Sequence, residues 1–176
     1  MLATRLPLPG MAKIQTLQDI FIDQLKDLYS AETQITKALP KLAKAANSPD
    51  LKKGFELHLT QTKEHVNRIA KICAELKVKP TGKTCEATKG LVKEGAEAIE
   101  DKATPEAKDV MLIAAAQRVE HYEMAGYTSA ISLAKALDLT SAVKALSLTL
   151  SEEVATDAKL AKANTTALPK VASSEE

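Results

Sequence analysis

Apolar residues recur at intervals of three and four through four long stretches of this chain, and no stretch alternates apolar with polar residues as a half-buried strand would. That pattern confines the chain to an all-α fold. The first stripe, within residues 12–46, runs through Ile14, Leu17, Phe21, Leu28, Ile35, Leu39 and Leu42, with Pro40 predicting a kink or an early end. Asn47-Ser48-Pro49-Asp50 then supplies a loop, a capping serine and a proline at the first helical position. The second stripe, from Pro49 to about Lys77, passes through Leu51, Phe55, His58, Thr62, His65, Ile69, Ile72 and Leu76. A shorter, weaker pattern covers residues 85–101. Thr104-Pro105-Glu106 opens a third long helix, to about Leu137, through Ile113, Ala116, Glu120, Glu123, Tyr127, Ala130 and Ala134. A fourth, capped by Asp138 or Thr140 and ending near Ala163, passes through Val143, Leu146, Leu150, Glu153, Asp157 and Leu160.

The connections decide how these helices are arranged. Loops of a few residues after the first and third force antiparallel hairpins, whereas the long stretch over residues 78–104 lets the second and third run parallel. A four-helix bundle results, with a long crossover carrying a short extra helix. An offset of 91 residues superposes Glu32 on Glu123 and Leu42-Ala43-Lys44-Ala45 on Leu133-Ala134-Lys135-Ala136, so the two hairpins read as a diverged repeat. The domain is expected over residues 12–166, with residues 1–11 as a disordered extension and residues 167–176 as a disordered tail.

Composition narrows the partners. Twenty-four basic against 23 acidic side chains leave a net charge of +1, which gives no electrostatic grip on a phosphate backbone, and nucleic acid is not expected. The longest uncharged apolar stretch, residues 110–117, falls far short of the roughly 20 residues that cross a bilayer, and the opening residues lack the apolar run of a secretion signal. Cys73 and Cys85 are too few for a disulfide framework, so a reducing cytoplasm is expected.

The chemistry lies where the stripes turn polar: Glu32 on the first helix, His58, Thr62 and His65 on the second, Glu120 and Glu123 on the third, Glu153 and Asp157 on the fourth. Within each helix the spacings are three or four, which share a face. Each group sits near its helix middle, and antiparallel hairpins bring helix middles to one height. A single such glutamate is ordinarily a solvated flank residue, and a single histidine a hydrogen-bonded core residue. Five carboxylates converging from all but one helix are different, because in an apolar core they repel one another and lose hydration worth several kcal/mol per ion. No Lys or Arg shares the seam. Two divalent metal ions are the economical counter-charge, and carboxylate with imidazole suits Fe or Mn. Glu32, Glu120, Glu123 and Glu153 are expected as first ligands, Asp157 with His58 or His65 completing the set. Tyr29, Tyr122 and Tyr127 are packing residues or outer hydrogen-bond donors.

The runs DLYSAETQITKALPKLAKAA, HLTQT, IAAAQRVEHYEMAGY and EEVATDAKL resemble the bacterial ferritin-like family of the YciE/YciF type, over residues 12–164, with EHYE the most specific motif. The resemblance implies a ferritin-like bundle, often dimeric, holding a di-metal centre and associated with stress responses. Its characteristic polar positions fall on Glu32, His58, Glu120, His121, Glu123, Glu152, Glu153 and Asp157. The chain departs from it at Thr60-Gln61-Thr62, where neutral Gln61 stands in place of a carboxylate, and neither the second nor the fourth helix carries a Glu-x-x-His. Iron oxidation with O₂ or peroxide as the small oxidant is the activity to expect of such a centre; a non-enzymatic oligomeric stress protein with a vacant site is the alternative, and a storage cage finds no support in the sequence. A homodimer is expected, partly because Phe21, Leu25 and Leu133 look surplus to a single bundle.

Overall fold

The computed structural model describes residues 14–173, and among them every regular element is α-helical. Helix α1 spans Leu17–Ala45, α2 Pro49–Glu75, α3 Glu86–Glu100, α4 Pro105–Ala136 and α5 Thr140–Ala172. Helices α1, α2, α5 and α4 form the four sides of the bundle in that order, each antiparallel to its neighbours, and α3, in the crossover, packs on α1 and α4. None of the described helices is long and apolar enough to cross a membrane.

Local chemistry sets the helix starts. The Thr16 hydroxyl accepts from the Asp19 amide while the Asp19 carboxylate accepts from the Thr16 amide, a reciprocal cap that begins α1 at Leu17 rather than near residue 12. Ser48 and Thr104 cap α2 and α4 in the same way from their own side chains, each ahead of a proline. Helix α5 differs: Leu139 occupies its cap position, neither Asp138 nor Thr140 serving, and Asp138 turns the chain with a positive φ of 57°. Pro40 does not end α1, which continues to Ala45 with Pro40 facing solvent. Helix α5 runs on to Ala172 instead of stopping near Ala163, because nothing before Pro169 interrupts it. Part of the expected tail is therefore helical. The expected extension, residues 1–11, lies outside the described residues.

Two apolar clusters fill the bundle, one towards each end. Phe21, Leu25, Leu28, Ile69, Tyr127, Ala130 and Leu146 pack at the first, and Ile35, Leu39, Phe55, Leu112, Ile113 and Leu160 at the second. Fully burying each large apolar side chain contributes about 1.5–3 kcal/mol. Phe21 and Leu25 are wholly buried here, and Leu133 packs against the same cluster, so these residues supply no argument for a dimer. Phe21, Leu25 and Leu28 follow one another at steps of four and three, which puts them on the seam itself. At the first end α1 and α4 approach closely over Gly126, where an added Cβ would lie 2.9 Å from Leu28 Cδ2. Between the two apolar clusters lies a layer of charged and polar side chains.

Candidate metal centre

That layer is built from the helix middles. Glu32 from α1, His58, Thr62 and His65 from α2, Glu120 and Glu123 from α4 and Glu153 from α5 are all buried, as expected from their stripe positions. One donor atom each from His58, Glu120, Glu123 and Glu153 lie within 4.8 Å of one another, and Glu32, His65 and Glu153 form a second such set. Glu153 belongs to both. The inventory is thus four carboxylates and two imidazoles. Ferritin-like di-metal bundles use the same inventory but draw one histidine from each of two helices; here α2 supplies both. The missing Glu-x-x-His motifs and neutral Gln61 therefore leave the donor count undiminished.

Asp157 joins neither set. Its Oδ1 accepts a 3.0 Å hydrogen bond from Gln117 and lies 3.3 Å from His121 Nε2, at the bundle's outer edge. The buried positions of α5 advance through Leu146, Thr149, Glu153, Thr156 and Leu160, so the step after Glu153 is three, and the inward place falls to Thr156. Four residues on from Glu153, Asp157 turns about 40° one way, while Thr156, three on, turns about 60° the other, towards the side that buried Thr149 and Leu160 share. His121, one of the positions drawn from the resemblance, is largely exposed.

The donors approach one another without satisfying one another. His65 Nδ1 lies 2.9 Å from Glu153 Oε1 and 3.2 Å from Glu32 Oε1, and His58 Nε2 lies 3.2 Å from Glu120 Oε1 and 3.6 Å from Glu153 Oε2. Among the described residues, eight atoms of these six side chains are buried without an aligned hydrogen bond: Glu32 Oε2, His58 Nε2, His65 Nδ1, Glu120 Oε2 and both oxygens of Glu123 and of Glu153. Buried polar atoms are otherwise almost always partnered.

Outer groups hold the donors in place. Glu152 Oε2 lies 2.9 Å from His65 Nε2 and is itself gripped by both arms of Arg68, which also donates to Thr149. This leaves His65 Nδ1 facing the cluster. The Tyr127 hydroxyl donates to Glu32 Oε1. Thr156 Oγ1 lies 3.2 Å from His58 Nδ1. Tyr122 does not take part: its hydroxyl donates to Asp27 of α1 and touches Cys85 Sγ, at the start of α3, at 2.9 Å. Sequence reasoning passed over Arg68 and Thr156. The three-residue step from His65 to Arg68 was the available signal for the first, and the three-residue step from Glu153 for the second.

The cluster's electrostatics follow from its burial. Burial drives Glu32 and Glu123 above the usual carboxylate range, Glu123 further because Glu32, Glu153 and Glu120 surround it with negative charge. Burial likewise lifts Glu120 to about 8 against the pull of His58. Glu153 is the exception: burial would raise it, but His65 and His58 hold it low and ionised. Burial opposes the imidazolium forms, yet Glu120 and Glu153 lift His58 to about 9, and Glu153 and Glu32 lift His65 to about 10. Without a metal, the site compensates by holding protons.

A cavity of about 550 Å³ leads from the α2 and α4 N-termini to His58, Gln61, Glu120 and Thr156. A smaller one, about 210 Å³ and apolar, lies between α1, α3 and α4 and reaches Glu120 from the other side.

The family described as Domain of unknown function (DUF892) matches residues 16–172. Protein YciF of Escherichia coli (strain K12) is 44% identical over 148 residues, covering 84% of this chain and 89% of that protein. The crystal structure of the E. coli stress protein YciF superposes with a TM-score of 0.86 at 42% identity, covering 89% of this chain and 99% of that one. YcfI of Rhodopseudomonas palustris gives a TM-score of 0.81 at 40% identity, over 84% and 94% of the two chains. A dodecameric thioferritin from Bacteroides fragilis shares the fold, with a TM-score of 0.66 at 18% identity, over 91% and 90%.

Proposed function

The chain belongs to the DUF892 family, and on that premise we propose that its core binds two divalent metal ions, iron or manganese, in a ferritin-like stress protein of the cytoplasm that acts as a homodimer. The observation that carries this reading is the set of eight buried donor atoms, on four carboxylates and two imidazoles, that lack aligned partners. Such atoms cost about 1–3 kcal/mol each when left unsatisfied. Divalent cations recover that cost and displace the protons that the apo cluster holds.

Each side chain then has a task. Glu32 and His65 would hold one ion and His58, Glu120 and Glu123 the other, with Glu153 common to both sets. Glu152, fixed by Arg68, aims His65, and Tyr127 orients Glu32. Asp157 and Gln61 stand outside this set, Gln61 lining the approach to His58. Iron bound there would supply Fe(II)-to-Fe(III) redox chemistry with O₂ or peroxide as oxidant, which limits oxidative damage.

The alternative is a partner-binding stress protein whose imidazoliums and protons neutralise a permanently metal-free core. Metal analysis of protein expressed in iron- and manganese-rich medium separates the two. Stoichiometric metal that is lost in the Glu32→Ala, Glu153→Ala double variant supports the first; a clean apo protein supports the second.

A further inference from the structure

We propose that the 550 Å³ cavity is a binding site for an aliphatic carboxylate of medium chain length, held by its anionic head at a lysine rim with its chain running inward along Leu51, Phe55, Ile113 and Leu160. His58 and Glu120, proposed above as metal donors, close its inner end, so the proposal is made for the metal-free protein.

The cavity's size falls within the range of small-molecule sites, and most of its exposed wall area is apolar although many of its lining residues are polar. Leu51, Phe55 and Leu57 line it from α2, Ile113 from α4, Leu160 and Ala163 from α5. From Pro49 at the mouth to His58 at the floor is nine residues of α2, about 14 Å of helix.

The rim supplies the charge. Lys159, Lys162 and Lys170 descend the wall formed by α5, the last of them on the stretch beyond residue 163, and no ion pair occupies any of the three among the described residues. Opposite them, Asp50 and Glu106 sit in the first turns of α2 and α4, where they offset the helix dipoles, and Asp109 is consumed in accepting the Asn47 and Ser48 amides. An anionic head therefore belongs on the α5 side.

Gly54 provides the means of testing this. It lines the cavity, and a Cβ built there meets nothing within 4 Å, so an alanine fits freely and a larger side chain starts into open space. Full-length protein, stripped with chelator, is titrated calorimetrically with dodecanoate below its micelle-forming concentration. One molecule should bind per chain. Gly54→Phe should weaken binding by roughly tenfold or more while Gly54→Ala, a folding control, leaves it intact. Lys159→Glu with Lys162→Glu should weaken it by a similar roughly tenfold factor, and dodecyltrimethylammonium should bind more weakly than dodecanoate. Absence of saturable binding, equal affinity in Gly54→Phe, or equal affinity for the ammonium amphiphile overturns the proposal. A ligand-free dimer that Gly54→Phe dissociates would also overturn it, by assigning the cavity to a second copy of the chain. Should Gly54→Phe fail to fold, the lysine pair decides alone.

Discussion

Replacing Glu120 by Gln should flatten the pH dependence of the metal-free protein. Glutamine has the shape and neutrality of a protonated glutamic acid, and its carbonyl oxygen still accepts from His58. In the folded wild type, burial lifts the Glu120 carboxyl from 4.5 to about 8, so folding takes up a proton throughout that interval. The stability this group contributes is fully present below pH 4.5 and is lost as pH rises through about 8. At about 1.36 kcal/mol per pH unit the loss reaches about 5 kcal/mol. That is a large part of a domain's typical 5–15 kcal/mol, so the chelated wild type should soften visibly by mildly alkaline pH. The raised imidazoles and the raised Glu32 and Glu123 act in the same direction, whereas Glu153, held low, weakens the fold only in acid. Urea unfolding in chelator at one-unit steps from pH 5 to 9 reads the effect. The wild-type slope should exceed that of Glu120→Gln by up to one proton's worth, and added Mn(II) should reverse the wild-type trend, because the ligands bind metal deprotonated. Identical slopes in the two apo proteins would refute the reasoning.

Glu152→Gln should leave the helical content intact and weaken metal binding by about 10–100-fold, because His65 loses the charged group that aims it; unchanged metal content by plasma emission would show Glu152 to be a surface residue only. Tyr127→Phe removes the donor to buried Glu32 Oε1 and should cost about 1–3 kcal/mol in the apo protein, read by thermal melting. Two glycine substitutions should differ in sign. Gly90→Ala, where a Cβ meets nothing, should stabilise by about 0.5–1 kcal/mol, while Gly126→Ala forces Leu28 aside and should destabilise by about 1–3 kcal/mol less that gain, both measurable as shifts in urea midpoint.

The bundle and its crossover were legible in the sequence because the apolar period holds through every long helix. The buried polar layer that forms the candidate site was legible for a related reason: a glutamate or histidine at a seam position interrupts an otherwise regular stripe, and Glu32, His58, His65, Glu120, Glu123 and Glu153 all end up buried. Asp157 shows the limit of the method. Steps of three and four are both permitted by a helix, so periodicity alone does not choose between Thr156 and Asp157; in the fold Thr156 meets His58 of α2 while Asp157 meets Gln117 and His121 of α4. The outer contacts were less visible still. That Glu152 of α5 meets His65 and Arg68 of α2 depends on the rotation of one helix against another, which no single helix encodes. The ends of α1 and α5 were misjudged for local reasons, a Thr-x-x-Asp cap overlooked at Thr16 and a tail whose polarity hid a continuing helix.

The apolar clusters at the two ends of the bundle, with the acidic layer between them, invert the usual distribution of slow and fast opening along a helix. In an ordinary bundle the helix ends fray and the middles are last to exchange their amide hydrogens. Here the waist is the place where water gains most by entering, since the carboxylates and imidazoles of the apo protein are solvated on opening and the ends give up packed Phe21, Leu146, Phe55 and Leu112. Exchange in the metal-free protein should therefore proceed fastest near His65 and Glu123 among the buried amides. Divalent cations bound there as proposed would act as rivets, turning two loosely joined half-cores into a single cooperative unit.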